Sequence, residues 1–392
     1  MRTARRYLAR EIYRSTSVVV IALIGLFTFF TLVDELDTVG EKFPLTALFY
    51  LQLLSLPTRL YDLLPIGLLI GAILALAGLA HRNELVIYRV SGVSGMGLLK
   101  MLWTICIPII IGAMLLSEFL TPIAEIKSSE TNLLMRGRAE GGIMATGYWF
   151  KEPTPNGGTR VINVGKLLAS GNVSKLKLYE FPDGITLTNM SQADSGRFAN
   201  GKLIMQNVTE NLISPDIKKA LADATVKDAP LATIRHLPER TVETTLSPDR
   251  LVARILTPER MSLLALKDYI AYLSNNQLQS DRQVVAIWRK FAYPFTLIVM
   301  LTIAAPISFM QTRRGGVGAK VFIGILLGTA FFMINQLALN VGLLYKWSPA
   351  VTALLPNTLA MTIALTSVLM MENRNAAAQR KIRFWPWGKS AI

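Results

Sequence analysis

The chain has 392 residues, 52% hydrophobic and 17% charged, with a mean hydropathy of +0.40, which excludes an ordinary soluble protein and marks an integral membrane one. Its net charge of +15 does not point to nucleic acid: residues 121–285 hold 20 Lys+Arg against 17 Asp+Glu, so the excess flanks the apolar runs, as the positive-inside rule requires. A single cysteine, Cys106, excludes an intrachain disulfide, and two distant histidines, His81 and His236, offer no zinc site.

Arg2, Arg5, Arg6, Arg10 and Arg14, with a lone Glu11, precede the uncharged run Ser15 to Val33. This is a first transmembrane helix with a cytoplasmic N-terminus. The alternative, a cleaved signal peptide, fits poorly, because the run is long and ends in Asp34-Glu35 instead of small residues. Phe43 to Leu56 reads as an interfacial approach segment, and Leu63 to Ala80, entered past Pro57 and Pro65, as a second span. Arg59 and Asp62 are spaced to pair at its outer end, and Gly67-x-x-x-Gly71 supplies a flat stripe for helix contact.

The polar stretch His81 to Ser94 follows. Leu85, Val86, Tyr88 and Val90 fit a helix of about two turns along the membrane surface, stopped by Gly92; an ordinary connecting loop is the plain alternative. Gly97 to Leu120 is a third span, carrying Pro108 and Glu118, and Glu125 to Arg138 extends it.

Strands are expected at Gly147 to Lys151, Thr159 to Val164, Val173 to Phe181, Gly184 to Met190, Lys202 to Thr209 and Arg240 to Leu246, separated by Gly-, Asn- and Pro-rich turns. They predict an antiparallel sandwich or jellyroll. Pro258 to Ser274 is an amphipathic helix with Thr257 as N-cap. Spans four to six run from Phe291 to Met310 (after Trp288-Arg289-Lys290), Val321 to Leu344 (with Gly324-x-x-x-Gly328) and Ala350 to Met371. A basic cytoplasmic tail closes the chain.

The predicted fold class is therefore an α-helical integral membrane protein of six transmembrane helices with an inserted periplasmic all-β, jellyroll-like domain. Residues 1–120 carry helices one to three, with a surface helix near 81–94; residues 121–285 form the β domain with flanking helices; residues 286–392 carry helices four to six. Both termini are cytoplasmic.

Catalytic signatures are missing from the sequence. Gly196 to Leu203 nearly matches a phosphate loop, but Leu203 replaces the magnesium-binding Ser/Thr. No nucleophile elbow or His-Glu-x-x-His is present, and the sequons at Asn172, Asn189 and Asn207 are of a kind common by chance. Such a chain reads as a permease driven by a separate ATPase, with no catalytic, metal or cofactor site of its own. The rival is a membrane-anchored periplasmic scaffold or assembly factor, for which six packed spans are excessive.

Leu79-Ala80-His81-Arg82-Asn83-Glu84-Leu85-Val86, Ser91-Gly92 and Ala353-Leu354-Leu355-Pro356 resemble the LptF/LptG permeases of the bacterial lipopolysaccharide exporter, the LptG branch more than the LptF branch. The resemblance implies a Gram-negative inner-membrane complex that extracts lipopolysaccharide toward the outer membrane. It would comprise an LptF-type partner, two LptB-type ATPase subunits holding ATP and magnesium, and a single-span LptC-type protein. It implies that the helix after span two is the coupling helix, with Arg82, Glu84, Leu85, Tyr88 and Arg89 at the ATPase, and that Gly324 and Gly328 lie by the lipid cavity. Some relatives carry lysines just after span one, where this chain has Thr31, Asp37 and Thr38. Candidates for the lipid phosphates are thus Arg59, Arg136, Arg138, Arg289, Lys290 and Lys42. The β domain would pass acyl chains along an open apolar inner face, or else merely recruit a partner with a closed core.

Overall fold

Inside a bilayer every backbone N–H and C=O must find its partner within the protein, which leaves the helix as the natural element for long apolar runs. The computed structural model describes residues 2–40, 43–90, 93–136, 148–154, 157–167, 172–199, 201–213, 232–244, 246, 257–276, 278–309 and 317–383. Among these, six helices are long and apolar enough to cross a membrane. The chain forms two units, one of Met1–Leu36, Leu56–Thr121 and Asp281–Ile392, the other of Asp37–Ser55 and Pro122–Ser280.

The first unit is helical. Its helices include α1 (Arg2–Glu35), α2 (Leu45–His81) from Leu56 onward, the short α3 (Glu84–Val90) and α4 (Gly95–Leu115); a π turn at Leu116–Leu120 leads into α5 (Thr121–Arg136), which from Pro122 belongs to the second unit. The expected interfacial segment and second span are one helix, α2, running through Pro57 and Pro65. Proline at 65 frees the carbonyl of Tyr61 four residues earlier. The Tyr293 hydroxyl donates to that carbonyl at 2.6 Å, and the two rings stack at 4.0 Å, so the helix continues.

Glycine seams set the packing of α2. A Cβ on Gly71 would collide with the backbone of Thr16, and one on Gly67 with Val20, so α1 lies directly against this stripe. Without hydrophobic drive between helices in lipid, such close approach is a main source of association. The apolar window of α2 is 67% buried, that of α1 17%.

The second unit holds β1 (Tyr148–Pro153), β2 (Thr159–Leu167), β3 (Val173–Phe181), β4 (Asn189–Ala199), β5 (Lys202–Ile213) and β6 (Ala232–Glu243), an antiparallel sheet in sequential order, with α6 (Leu263–Asn275). The fourth strand starts five residues later than expected. Asp183 Oδ1 accepts the N–H groups of Ile185 and Thr186, and Gly184 has φ 76°, so this stretch is a turn. The sixth strand starts eight residues earlier than expected. Its charges and Pro238 disguise it, but as the last strand it pairs on one side only, where proline is tolerated. The cap of α6 is Ser262, whose Oγ accepts from Ala265 N; Thr257 instead precedes a 3-10 turn at Pro258–Arg260.

A crease crosses this sheet. Inward residues step by three instead of two at Val173 to Leu176, Ala193 to Gly196 and Met205 to Val208, with Lys175 and Asn207 left-handed at φ 54° and 53°. Each step keeps apolar residues inward while turning the strand. The sheet rolls back over its own inner face: Arg160 of β2 donates to Glu243 O of β6 at 2.7 Å, and Thr244, just past β6, to Glu152 of β1 at 2.8 Å. Phe150, Ile162, Leu176, Leu203 and Met205 fill the interior, with Tyr272 and Leu273 of α6 and Leu246 added.

One end of the roll is closed by charge. Arg160 pairs with Glu152 (3.1 Å) and Glu180 (3.2 Å), and Arg240 with Glu180 (2.8 Å) and Glu210 (2.9 Å). Burial alone would raise the Glu180 carboxyl, but the hydrogen bond and charge of Arg240, with Arg160 and Asn189, outweigh it and hold its pKa below the usual glutamate range. Its folded value lies below its unfolded one. The contribution is therefore complete above about pH 4.3 and lost as pH falls through the folded value.

Two predictions follow from this packing. Arg240→Ala deprives the buried Glu210 of its arginine and leaves Glu180 with Arg160 and Asn189, and should cost about 3 kcal/mol, seen as faster hydrogen exchange in β3 at pH 7, whereas exchange in β3 of the wild type, corrected for intrinsic rates, should accelerate only under acid. Gly71→Leu should lower the melting temperature of the detergent-solubilised protein through overpacking of about 2 kcal/mol, while Gly25→Leu, whose Cβ meets nothing within 4 Å, should not.

Candidate functional site

Where α2 ends, Arg82 N bonds Gly78 O and Asn83 N bonds Ala80 O, and Asn83 turns the chain with φ 60°. Asparagine is one of the few residues that tolerates this conformation. Glu84 therefore opens α3. On the far side Val93 N returns to Tyr88 O, Ser94 caps α4 through Gly97 N, and Gly95 N donates to Glu372 of α9 (Pro349–Arg383) at 3.3 Å. The short helix is thus pinned at both ends.

Of the residues expected at this helix, Glu84 is partly exposed, with its carboxylate 3.8 Å from Arg82. Arg82 also pairs with Glu11 of α1 at 3.0 Å. Tyr88 turns back into the protein, its hydroxyl donating to Ala4 O at 3.1 Å. Burial, then the Glu84 charge, raises its pKa, so it stays a donor. The outward surface is instead Ile87 and Val90, 65% and 83% exposed. Val90 was read from the sequence only as one of the apolar residues of the helix, not as an ATPase contact, and Ile87 was not singled out, although their spacing of three was readable. Ser91 and Gly92 lie outside the described residues, as do the side chains of Leu85 and Arg89.

A second cluster sits at the other end of the bundle, built on α7 (Asp281–Phe309). Lys290 is buried and donates to Ser117 Oγ at 2.9 Å and to Ser117 O at 3.4 Å. It thereby satisfies a carbonyl in the π turn, where the ordinary helical ladder is shifted. Arg59 donates to Thr28 Oγ1 at 2.9 Å, and both Arg59 and Arg289 are half-buried. Lys42, Arg138 and the side chain of Arg136 lie outside the described residues.

The second glycine pair is on α8 (Val317–Leu344). A Cβ on Gly324 would meet Ile73, and one on Gly328 would meet Leu69 and Ile66, so this stripe seats on α2. Elsewhere on α8 the side chains of Phe332, Met333 and Leu337 are exposed. The near-match to a phosphate loop is the β4–β5 hairpin: Gly196 is in β4, Lys202 and Leu203 are in β5, and no helix N-terminus follows to hold a phosphate. Among the described residues no group of three or more His, Cys, Asp or Glu is placed to hold a metal.

The arrangement is a membrane bundle with a pinned, outward-facing helix at one end, a separate β unit, and large apolar faces on α1 and α8. The chain is 25% identical over 366 residues to the lipopolysaccharide export system permease protein LptG of Escherichia coli strain K12, covering 92% of this chain and 96% of that protein. It is 25% identical over 362 residues to the protein of the same name from Haemophilus influenzae, covering 91% and 95%. The family model for the lipopolysaccharide export system permease LptF/LptG matches residues 6–370. The chain belongs to the LptF/LptG family of lipopolysaccharide export permeases, and is a multi-pass inner-membrane protein of that export system.

Proposed function

We propose that this chain is the LptG-type half of the permease, paired with an LptF-type subunit, that extracts lipopolysaccharide from the inner membrane and passes it to a periplasmic bridge. The match over residues 6–370 carries this reading. The LptG-named relatives and the Glu-Leu-Val core of α3 favour that branch over LptF. The arginines opening α1 favour a cytoplasmic position for both termini and α3, and hence a periplasmic β unit.

In this reading ATP and magnesium belong to two LptB-type subunits, and an LptC-type protein receives the lipid. The α3 helix docks in the ATPase through Ile87 and Val90, with Glu84 read by a cation or a helix N-terminus there. Arg59 and Arg289 are the half-buried cations best suited to lipid phosphates, since guanidinium binds phosphate in paired hydrogen bonds. Lys290 serves the π turn.

Reversing the charge at Glu84 tests the coupling role. Glu84→Lys should weaken docking by roughly 2–5 kcal/mol, so that the purified complex loses ATPase subunit and lipopolysaccharide release in liposomes collapses. Wild-type retention and release would rule this role out. Depletion of the protein in a Gram-negative cell should strand lipopolysaccharide in the inner membrane; normal surface lipopolysaccharide after complete depletion would refute the transport function.

A further inference from the structure

Three contacts tie α3 and the turn before it to one face of α1. The Tyr88 hydroxyl donates to Ala4 O at 3.1 Å, Tyr7 lies beside the Glu84 carboxylate, and Arg82 Nη2 reaches Glu11 Oε1 at 3.0 Å. Ala4, Tyr7 and Glu11 recur at i, i+3 and i+7, the spacing of a single helix face. Arg82 stands between two carboxylates, Glu11 on α1 and Glu84 on α3. It is the one residue of the turn that grips both helices by charge.

Beyond these contacts α1 stays held and is then only lightly engaged, among the described residues by the Arg59–Thr28 hydrogen bond. Leu8 and Ile12 are fully buried, and Thr16 and Val20 seat on the glycines of α2. Past Val20 its surface opens: Leu26, Phe27, Phe29 and Phe30 are each about half exposed. The stretch from Val20 to Glu35 is about 22 Å of helix at 1.5 Å per residue. A rigid rod gripped over its first half and lightly engaged over its second carries a displacement at the gripped end to the other.

We propose that Glu11 is a positioning residue that, through Arg82, fastens α3 to α1, so that a displacement of α3 travels along α1 instead of being absorbed in the Arg82-Asn83 turn. This rests on the reading of α3 as the element that engages the ATPase. Without the link, the left-handed turn at Asn83 is the compliant point between α2 and α3. Arg82 is half exposed, and exposed ion pairs add little to stability, so loss of this pair leaves the fold intact and exposes its mechanical role.

The test uses the complete transporter in liposomes loaded with lipopolysaccharide. In Glu11→Gln, ATPase-subunit retention and ATP hydrolysis should stay near wild type, while lipid released per ATP falls at least about five-fold, the low end of a site-to-site coupling; Glu11→Asp should restore most of it. A second measurement reads the motion itself: spin labels at Phe30→Cys and Tyr345→Cys, in a Cys106→Ala background, should change separation on vanadate trapping in the wild type and not in Glu11→Gln. Wild-type release per ATP with an unchanged distance response in Glu11→Gln would overturn the proposal. So would loss of the ATPase subunit, which would make Glu11 a docking residue. If Glu84→Lys fails while Glu11→Gln is normal, only the link falls; if Glu84→Lys is itself normal, the reading of α3 falls with it.

Discussion

Glycine-mediated approach to α2 is the contact on which the helical unit depends. Gly67 and Gly71 admit Val20 and Thr16 of α1, while Ile66, Leu69 and Ile73 of α2 enter the space left by Gly324 and Gly328 of α8. One helix thereby seats two others whose remaining surfaces stay apolar and exposed. The same helix survives Pro65 because Tyr293 holds the orphaned carbonyl, and it ends in the turn that aims α3. Polar ties complete the bundle: Trp103 Nε1 donates to Thr302 and Thr296 to Asn357, each at 2.9 Å. A donor in hydrocarbon gains by finding such a partner, although each is worth only about 1 kcal/mol.

The β unit is stabilised by different physics. Its apolar interior is buried by rolling one sheet over itself, and the roll needs the aligned irregularity at Lys175 and Asn207. The charges of Arg160, Arg240 and three glutamates then close one end. Buried ion pairs are often no better than apolar replacements, but breaking one is costly. Such a seam gives the roll a unique register more than it adds net stability.

Much of this was legible in the residues. Long apolar runs with few or no charges marked the spans, and Val/Ile/Thr-rich stretches between Gly and Pro turns marked most strands. Two effects hid the rest. Proline at 65 read as a boundary because its rescue comes from Tyr293, more than two hundred residues away in sequence. The fourth and sixth strands were misplaced since their inward positions are filled by Asn189, Ser191, Ala193 and Arg240, whose burial depends on partners across the roll. At the candidate site, Glu84 and Arg82 stood out by charge. Ile87 and Val90 did not, because exposure is a property of the fold. Glu11 was visible as the lone acid among the opening arginines, but its partner was not.

The central claim is that α3, held by α2 and α1, is the surface through which a separate ATPase drives this permease. A photo-crosslinking residue at Ile87 or Val90 in living cells tests it most directly, with Trp347 at the opposite end of the bundle as control. Adducts with the ATPase subunit from positions 87 and 90, and none from 347, are the predicted result. Adducts absent at 87 and 90, or formed from 347, would contradict the claim.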